Sequence, residues 1–385
     1  MDFDLSEEQQ LLKDSVDRMT ASRYAELKTR NEAMKSPKGY SEALWKELAE
    51  LGLLAIPFSE DHGGMGQGAV ETMLVGEAFG RALVVEPYFS TVILAGSALR
   101  LGASDALAAK LIPEVAAGSL TLAFAHQEPE ARYDLANVAT TAKADGKGGY
   151  VIEGAKCVVF GGDSADKLVV SARVSGDRAS QDGLALFVVD ANAAGVTRRG
   201  YPIQDGTRAA DITLSGVKVG ADAVIGEAGK AYPIIERTIQ NGIAYLAAEA
   251  VGAMSALHEL TVEYLKTRKQ FGVAIGSFQV LQHRSVDMFV SLEQAKSMAY
   301  YACVMIDEED AVERRRAMHA VKAQISKSAR HVGQEGIQLH GGIGMTMEYK
   351  GGHYFKRLTM IDMLFGGADH HLRELAKAGG LLNAA

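Results

Sequence analysis

The sequence predicts an α+β protein in which a helical segment (residues 1–119) is followed by a compact antiparallel β segment (120–228) and a helical bundle (229–385). Three observations predict this order. Apolar residues recur at helical spacing in the first third, short β-rich runs separated by turn residues follow Thr121, and long helical patterns begin after Gly229. A chain of 385 residues is long enough for about two or three packed units.

The first segment carries helix start and stop signals. Ser6 and Gln9 have the spacing of a capping box, and apolar residues follow at helical spacing. Ser41 is placed to cap a second helix, which Gly52 would end. The loop "EDHGGMGQG" precedes a third helix, "AVETMLVGEAFGRAL", and a fourth is expected over 103–117.

The middle segment alternates strand-like runs with turn chemistry. The runs are "TLAFAHQ", "NVATTAKAD", "YVIEGAKCVVF", "KLVVSARV", "LALFVVD" and "ADITLSGVKV". Between them lie "DGKGG", "GGDSAD", "SQDG" and "QDGT", which are typical turn sequences. This spacing favours a compact antiparallel β domain.

The last segment reads as four long helices. Their expected ranges are 232–265, 278–305, 312–339 and 358–378. Helices of this length can pair as a bundle.

Composition limits the function classes. A net charge of −8 argues against nucleic-acid binding. No run approaches the roughly 18 apolar residues that a membrane helix needs, and the acidic N-terminus is unlike a secretory signal. Two cysteines, Cys157 and Cys303, cannot form a disulfide framework. We therefore expect a cytoplasmic protein without nucleic-acid or membrane partners.

Two loops are weak candidates for ligand binding when each is taken alone. In "RKQFG", Arg268 could bind a phosphate while Phe271 and Phe278 face an aromatic ring, but a turn between helices with a solvated charge and two core aromatics is favoured when the loop is taken alone. In "QLHGGIGMTMEY", the bare backbone could approach a pyrophosphate, or the glycines could simply end a helix. The ten histidines show no metal-ligand spacing, so no metal site is expected.

Taken together and in order, these stretches resemble the acyl-CoA dehydrogenase family. The motifs that carry the resemblance are "FDLSEEQQLLKDSV", "LAELGLLAIPFSEDHGGMG", "VIEGAKCVVFGG", "YLKTRKQFGVAIGSFQ" and "IQLHGGIGMTMEY", which span nearly the whole chain. Within the family the chain is similar to small subunits of pimeloyl-CoA dehydrogenases, which consist of large and small subunits. The resemblance implies the acyl-CoA dehydrogenase fold, with an N-terminal helical domain, a central β domain and a C-terminal four-helix bundle.

The resemblance also implies FAD as the cofactor and at least a dimer, because a neighbouring subunit in such enzymes helps to hold the ADP half of FAD. The residues implied for that role are Arg268, Phe271, Ile275, Phe278, Gln338, Gly341 and Gly342. The backbone of Ala125, His126 and Gln127 is implied for the isoalloxazine ring. An acyl-CoA is the implied substrate, and electron-transfer flavoprotein is the implied electron acceptor.

The reaction site departs from the family pattern. The family places a glutamate base at one of two positions, which correspond here to Gly366 and Gly242. Where the family reads "TEPGAGSD" and "WITN" against the flavin, this chain reads "QEPEARYD" and "VVFG". Asp369 is a candidate displaced base, although a carboxylate at a helix N-terminus is more simply a cap.

Three hypotheses follow, and we favour the first. The chain is one subunit of a hetero-oligomeric acyl-CoA dehydrogenase, with a heterotetramer as the expected assembly, in which a related partner subunit supplies the base and the reactive end of the flavin. Alternatively it is a homo-oligomeric flavoprotein that acts on an acyl-CoA without α-proton abstraction, as the desulfinase-like branch of the family does; Arg132 could then pair with an anionic acyl tail. In the third hypothesis it is a non-catalytic structural subunit.

Overall fold

The computed structural model describes residues 5–379. The chain folds into two compact units, each assembled from separate stretches. The bundle unit contains residues 5–32, 69–84 and 243–379, and the sheet unit contains residues 33–68 and 85–242. Along the chain, helices precede the sheet and a second set of helices follows it, as the sequence predicts. The domain boundaries 1–119, 120–228 and 229–385 stay a prediction.

The sheet unit is built on one eight-stranded sheet. Its strands are β1 (Leu122–Ala125), β2 (Thr141–Ala144), β3 (Tyr150–Phe160), β4 (Lys167–Arg173), β5 (Leu184–Asp190), β6 (Val196–Pro202), β7 (Arg208–Val219) and β8 (Val224–Gly229). Their order is β6-β7-β3-β2-β4-β5-β8, and β1 pairs with β4 outside this path. The predicted β domain is confirmed, but its pairing is not purely antiparallel, because β1 and β2 run parallel to β4.

Two strands lack a clear sequence signal. β6 reads "VTRRGYP" and has no fully buried residue, because it lies at the edge of the sheet and pairs only with β7. β8 is short and contains two glycines, and it pairs with β5 through only two residues. Neither therefore shows the apolar alternation by which the other strands are recognised.

Eleven helices lie within the described residues, along with short 3₁₀ segments and a π-helix at Phe89–Ala95. They are α1 (Glu7–Arg23), α2 (Leu27–Lys35), α3 (Glu42–Glu50), α4 (Ala69–Ala82), α5 (Gly96–Gly102), α6 (Asp105–Ala116), α7 (Tyr232–Thr267), α8 (Gln279–Met305), α9 (Ala311–His340), α10 (Lys350–Met363) and α11 (Ala368–Lys377). The capping box at Ser6 and Gln9 is confirmed, as is the Ser41 cap. The π-helix, α2 and α5 are additional to the predicted helices.

The predicted single helix over 358–378 is wrong. The chain instead forms α10 and α11, which are separated by a loop at 364–367. Phe365 and Gly366 in this loop have φ values of +59° and +110°. A right-handed helix cannot pass through residues with positive φ, so the break is a backbone property that apolar periodicity does not reveal.

The core of the sheet unit contains residues from both the strands and the adjacent loops, including Ala125, Ile152, Phe187 and Ile212, none more than 2% exposed. No helix within residues 5–379 is long and apolar enough to cross a membrane. The bundle unit packs α8, α10 and α11 against α9, which places the ends of these helices and their loops around α9.

Candidate active site

The first predicted cofactor loop joins α7 to α8 and contains the short hairpin of β9 (Lys269–Gln270) and β10 (Val273–Ala274). At its tip Phe271 has a φ of +55° and is 90% exposed. Its ring meets that of Phe278 edge-on, with centroids 6.2 Å apart. The Ile275 N–H donates to the Arg268 carbonyl at 2.8 Å and closes the loop. Phe271 is thus an exposed aromatic side chain in an unfavourable backbone conformation.

The second predicted loop begins where α9 ends. Gly341 has φ 61° and ψ −140°, a combination that is accessible essentially to glycine alone. A Cβ atom at Gly341 or Gly342 would meet no atom within 4 Å. Gln338 is exposed, and so is Met345. The backbone of this loop is therefore open to close approach by a ligand.

A stack of rings brings the two loops to the same end of the bundle unit. Tyr264 lies in the last turn of α7, and its carbonyl accepts the Arg268 N–H at 2.8 Å. The Tyr264 ring lies 4.7 Å from that of His340 at the end of α9, which lies 4.9 Å from the ring of Tyr349. Burial lowers the pKa of His340, and its Nδ1–H donates to the Gly336 carbonyl at 2.7 Å. The neutral His340 ring therefore packs against both Tyr264 and Tyr349, which places the α7 loop beside the α9 loop.

The loop at 364–367 is enclosed where the family pattern would place a base. Gly366 has a φ of +110°, which disfavours any side chain. A Cβ atom there would lie 2.4 Å from His370 Cδ2 and 3.2 Å from His371 Nε2. A glutamate at this position would have an unfavourable φ and would require the His370 side chain to shift.

A buried lysine binds the backbone of the loop at 364–367 and of the helix end before it. Lys322 on α9 is 0% exposed and its Nζ donates to Ser326 Oγ at 2.9 Å, to the Asp362 carbonyl at 2.9 Å and to the Gly366 carbonyl at 2.8 Å. Burial lowers the pKa of Lys322 to about 7, although the Asp362 carboxylate opposes the shift. That carboxylate accepts from Arg330 Nη2 at 2.7 Å. Lys322 is therefore a fixed support of the loop that carries Gly366.

Two histidines, His371 and His319, also lie beside the loop at 364–367. His371 Nε2 donates to the Phe365 carbonyl at 3.1 Å. Because a neutral imidazole has only one N–H, His371 Nδ1 then accepts from His319 Nδ1 at 2.8 Å. Burial, and then the neighbouring Lys322 and His319, lower the pKa of His371 to about 2. His371 is therefore neutral at physiological pH. Within residues 5–379, no group of three or more His, Cys, Asp or Glu side chains could hold a metal ion.

The other candidate base positions have different environments. Asp369 is exposed in the first turn of α11, and the N-cap is Gly367, so the interpretation of Asp369 as the cap residue is wrong. Gly242 is buried within α7. The adjacent Asn241 donates from Nδ2 to Ser97 Oγ at 3.0 Å. The structure therefore places no carboxylate at either glycine position.

The segment predicted to face the flavin ring continues from the end of β1. Ala125 ends the strand and is 0% exposed, whereas Gln127 is exposed. His126 lies between them and is buried, with its ring turned toward β4. Arg132 lies farther along the same loop, exposed and with a φ of +52°.

A buried carboxylate orders the loop that follows this segment. Glu128 accepts from the Ala139 N–H at 2.7 Å, the Thr140 N–H at 3.0 Å and Thr140 Oγ1 at 2.6 Å. It also accepts from Lys156 Nζ at 2.7 Å. Burial alone would raise the pKa of Glu128, but the Lys156 charge and these hydrogen bonds lower it to about 2. The loop is thus held by an ionised carboxylate and differs from a flexible glycine loop.

Lys156 connects this carboxylate to His126. Its Nζ also donates to Ser171 Oγ at 3.0 Å and approaches the His126 carbonyl at 3.3 Å. Because Ser171 Oγ accepts from the ammonium, its own proton is available to His126 Nδ1, 2.9 Å away. Burial, and then the Lys156 charge, lower the pKa of His126 to about 3. The network therefore fixes a neutral His126 with its proton on Nε2.

Strand β3 is irregular beside this segment. Its register with β7 shifts just after Lys156, and Val158 has a φ of +50°. The Cys157 N–H donates to the Gln127 carbonyl at 2.9 Å, and the Val158 N–H donates to Asp211 Oδ1 at 3.3 Å. A β-branched residue with positive φ is strained, and such strain is concentrated at functional sites. The bulge lies where the family pattern reads "WITN".

Sequence reasoning missed the two buried lysines. Lys156 lies in the strand sequence "GAKCVVF", and Lys322 lies in the helix sequence "HAVKAQI". A lysine within an apolar run can be buried only with several acceptors, so each could have indicated a polar network. The positions of those acceptors depend on distant parts of the chain and have no local signal.

The chain is similar to known proteins over most of its length. Family models match the acyl-CoA dehydrogenase N-terminal domain over residues 6–119, the middle domain over 123–217 and the C-terminal domain over 232–380. Together they cover most of the chain. A curated relative, acyl-CoA dehydrogenase FadE12 of Mycobacterium tuberculosis, is 31% identical over 318 residues, which are 80% of each chain.

Solved structures extend the likeness to nearly full length. The structure of PigA with FAD and proline has a TM-score of 0.90 and 28% identity, covering 99% of this chain and 100% of that one. A variant of the Tcur3481–Tcur3483 steroid ACAD has a TM-score of 0.87 and 28% identity, covering 97% of each chain.

Proposed function

Because this chain belongs to the acyl-CoA dehydrogenase family of FAD-dependent oxidoreductases, we propose that it is one subunit of a hetero-oligomeric acyl-CoA dehydrogenase whose base comes from a related subunit. The observation that carries this proposal is the backbone at Gly366. Its φ is +110°, and a Cβ atom would lie only 2.4 Å from His370 Cδ2, so a glutamate there would have a strained backbone and would displace the His370 side chain. The second position, Gly242, also lacks a carboxylate.

The exposed end of the bundle unit would hold the ADP half of FAD. The open backbone at Gly341 and Gly342 fits close approach of a pyrophosphate, and Arg268 is a suitable donor to it. Phe271 offers an exposed ring for an adenine. FAD, when bound, supplies the hydride acceptor for α,β-desaturation. We infer that these loops complete the cofactor site of a neighbouring subunit.

The proposed substrate is a dicarboxylyl-CoA such as pimeloyl-CoA. The support within this chain is Arg132, which is exposed near the segment proposed for the flavin ring. A guanidinium can bind the distal carboxylate of such a thioester in a bidentate manner. An Arg132→Gln variant is expected to raise KM for pimeloyl-CoA about tenfold or more while leaving KM for a monocarboxylic acyl-CoA of equal length unchanged.

A partner of the same family is favoured over an identical copy. The name of one solved relative, the Tcur3481–Tcur3483 steroid ACAD, joins two protein designations. The match to that relative covers 97% of this chain. Electron-transfer flavoprotein is the proposed electron acceptor, by family resemblance. The two cysteines, which are free, agree with the proposed cytoplasmic location.

The proposal is tested by purifying the tagged chain alone and with its native partner, and then measuring acyl-CoA oxidation with an artificial electron acceptor and the FAD content. The assembly is expected to be active, and the lone chain is expected to be inactive even with added FAD. Equal activity per subunit in the two preparations would overturn the proposal.

A further inference from the structure

The peptide between His126 and Gln127 is anchored on one side only. Its carbonyl, on His126, receives the Lys156 ammonium at 3.3 Å. A trans peptide directs its N–H opposite to its C=O, so the Gln127 N–H points away from Lys156. Within residues 5–379 this N–H makes no hydrogen bond to another protein group, and Gln127 is exposed. The peptide is thus a donor that is fixed at its carbonyl and open at its N–H.

The ammonium that anchors it cannot easily move. Lys156 is 1% exposed, and its other contacts are Glu128 at 2.7 Å and Ser171 at 3.0 Å. The Gln127 carbonyl is fixed separately by the Cys157 N–H at 2.9 Å. Both carbonyls that flank the open N–H are therefore held by β3. This support continues into the strained bulge at Val158.

A cation that binds a peptide carbonyl also changes the donor on the other side. Hydrogen bonds in a chain polarise one another, so an amide whose carbonyl accepts from an ammonium is a stronger N–H donor. The same buried positive charge, in a medium of low dielectric constant, favours negative charge on an acceptor that this N–H contacts. Lys156 can therefore act on a bound group that it does not touch.

We propose that Lys156 is a positioning residue for the flavin of this chain's own sheet unit: it fixes and polarises the His126–Gln127 peptide so that the Gln127 N–H donates to the isoalloxazine ring. This proposal rests on the proposed FAD-dependent function. It differs from the expectation that the partner holds the reactive end of the flavin, because it assigns a ring-binding segment to this subunit as well.

Stability alone does not explain the network. Removing two charges from water costs free energy that their attraction repays only with good geometry, so a buried ion pair adds little net stability over apolar residues of similar volume. The side chains of Lys156 and Glu128 are 0% and 4% exposed, and they surround a backbone segment with an open donor. A positioning role accounts for both the cation and its location.

The first experiment locates the ring. Hydrogen–deuterium exchange is measured by mass spectrometry on peptides covering 122–130, in the purified assembly with and without FAD. We expect FAD to slow exchange in this segment. If the assembly retains FAD and these peptides are unchanged, the inference falls while the proposed function stands, and a failure of the assembly to oxidise acyl-CoA would concern the proposed function alone.

The second experiment measures the flavin reduction potential in three variants of the FAD-loaded assembly. Lys156→Met removes the cation and is expected to make the potential more negative, whereas Glu128→Gln removes the anion and is expected to make it more positive. Lys143→Met is the matched control, because Lys143 is exposed on β2 of the same sheet, and it is expected to leave the potential unchanged. A merely structural network would not produce shifts of opposite sign.

A third variant keeps the test decisive if either charge change prevents folding. Ser171→Ala preserves both charges but breaks the link to His126. In the FAD-free chain, ¹⁵N NMR of histidine should show His126 as a single Nε2–H tautomer, and Ser171→Ala should give a mixture. An Nδ1–H tautomer in the unmodified chain, or equal potentials in all charge variants, would overturn the proposal.

Discussion

Two glycine-containing loops of the bundle unit, 341–345 and 364–367, both follow helices that pack together in the same bundle, but their surroundings are opposite. At Gly341 and Gly342 a Cβ atom would meet nothing within 4 Å. At Gly366 it would lie 2.4 Å from His370. In the first loop Met345 is 72% exposed, whereas in the second the Gly366 carbonyl is held by a lysine that is 0% exposed.

The comparison shows that glycine is needed for different reasons in the two loops. In the first loop, absent side chains leave the backbone accessible, as expected where a ligand approaches closely. In the second, the absent side chain lets the chain turn against the half-buried His370 and the buried His371. This contrast supports the proposed division of roles between subunits, because the open loop suits a shared cofactor and the closed loop disfavours a glutamate at Gly366.

The largest stability effect should come from the lysine beneath the closed loop. Lys322→Met removes three hydrogen bonds to buried acceptors, and we expect a loss of about 3–4 kcal/mol in the free energy of unfolding. Lys327→Met is the matched control, since Lys327 is exposed on the same helix, and it should change stability by less than about 0.5 kcal/mol. Urea denaturation measures both; equal effects would show that Lys322 does not support the loop.

A smaller effect is expected from a single methyl group added to each loop. Gly366→Ala combines an unfavourable φ with an overlap, and should cost about 2–3 kcal/mol. Gly342→Ala adds a Cβ atom in open space at a residue without positive φ, so it should stay within about 0.5 kcal/mol. Thermal unfolding of the two variants compares them directly. A Gly366→Ala protein as stable as Gly342→Ala would remove the distinction between the loops.

The closed loop should also make stability depend on pH. The folded-state pKa of His371 is about 2, below its ordinary value of 6.5, so the unfolded chain binds the additional proton between these values. The contribution of neutral His371 to the free energy of unfolding is complete above pH 6.5. It is lost as the pH falls, by about 2 kcal/mol at pH 5. Denaturation at pH 7 and pH 5 tests this. His371→Gln should reduce the difference, and an unchanged difference would assign the acid sensitivity to other groups.

The smallest effect on stability is expected at the exposed end of the bundle unit. Phe271 is 90% exposed, so Phe271→Ala should change the free energy of unfolding by less than about 0.5 kcal/mol. If Phe271 contacts FAD of a neighbouring subunit, the same variant should lower the FAD content of the assembly. Lys269→Ala on the same hairpin serves as the control. Unchanged FAD content with Phe271→Ala would exclude a cofactor role for this residue.

Much of the fold follows from local sequence signals. Ser6 and Gln9 form the capping box that their spacing predicts, and the run 150–160 forms β3 with the predicted bounds. These signals succeed because capping and apolar alternation depend on residues close together in the chain. Apolar periodicity does not show the break at Phe365 and Gly366, because it depends on φ values that packing imposes; only the family resemblance, which places Asp369 at a helix N-terminus, indicates it.

The site could be predicted less completely. Motif order identifies the family and predicts that Gly366 and Gly242 occupy the base positions, but it does not distinguish an open loop from a closed one. Lys156 and Glu128 lie 28 positions apart, and Lys322 and Gly366 lie 44 apart. Such contacts arise from tertiary packing, so the networks that define both loops become visible only in the folded structure.

Proton abstraction itself provides the most direct test of the missing base. Pimeloyl-CoA is incubated in D₂O with the FAD-supplemented lone chain or with the purified assembly, and deuterium incorporation at the α carbon is measured by mass spectrometry. We predict incorporation with the assembly and none above the protein-free rate with the lone chain. Incorporation by the lone chain at the rate of the assembly, abolished by Asp369→Asn, would show that this subunit carries its own base.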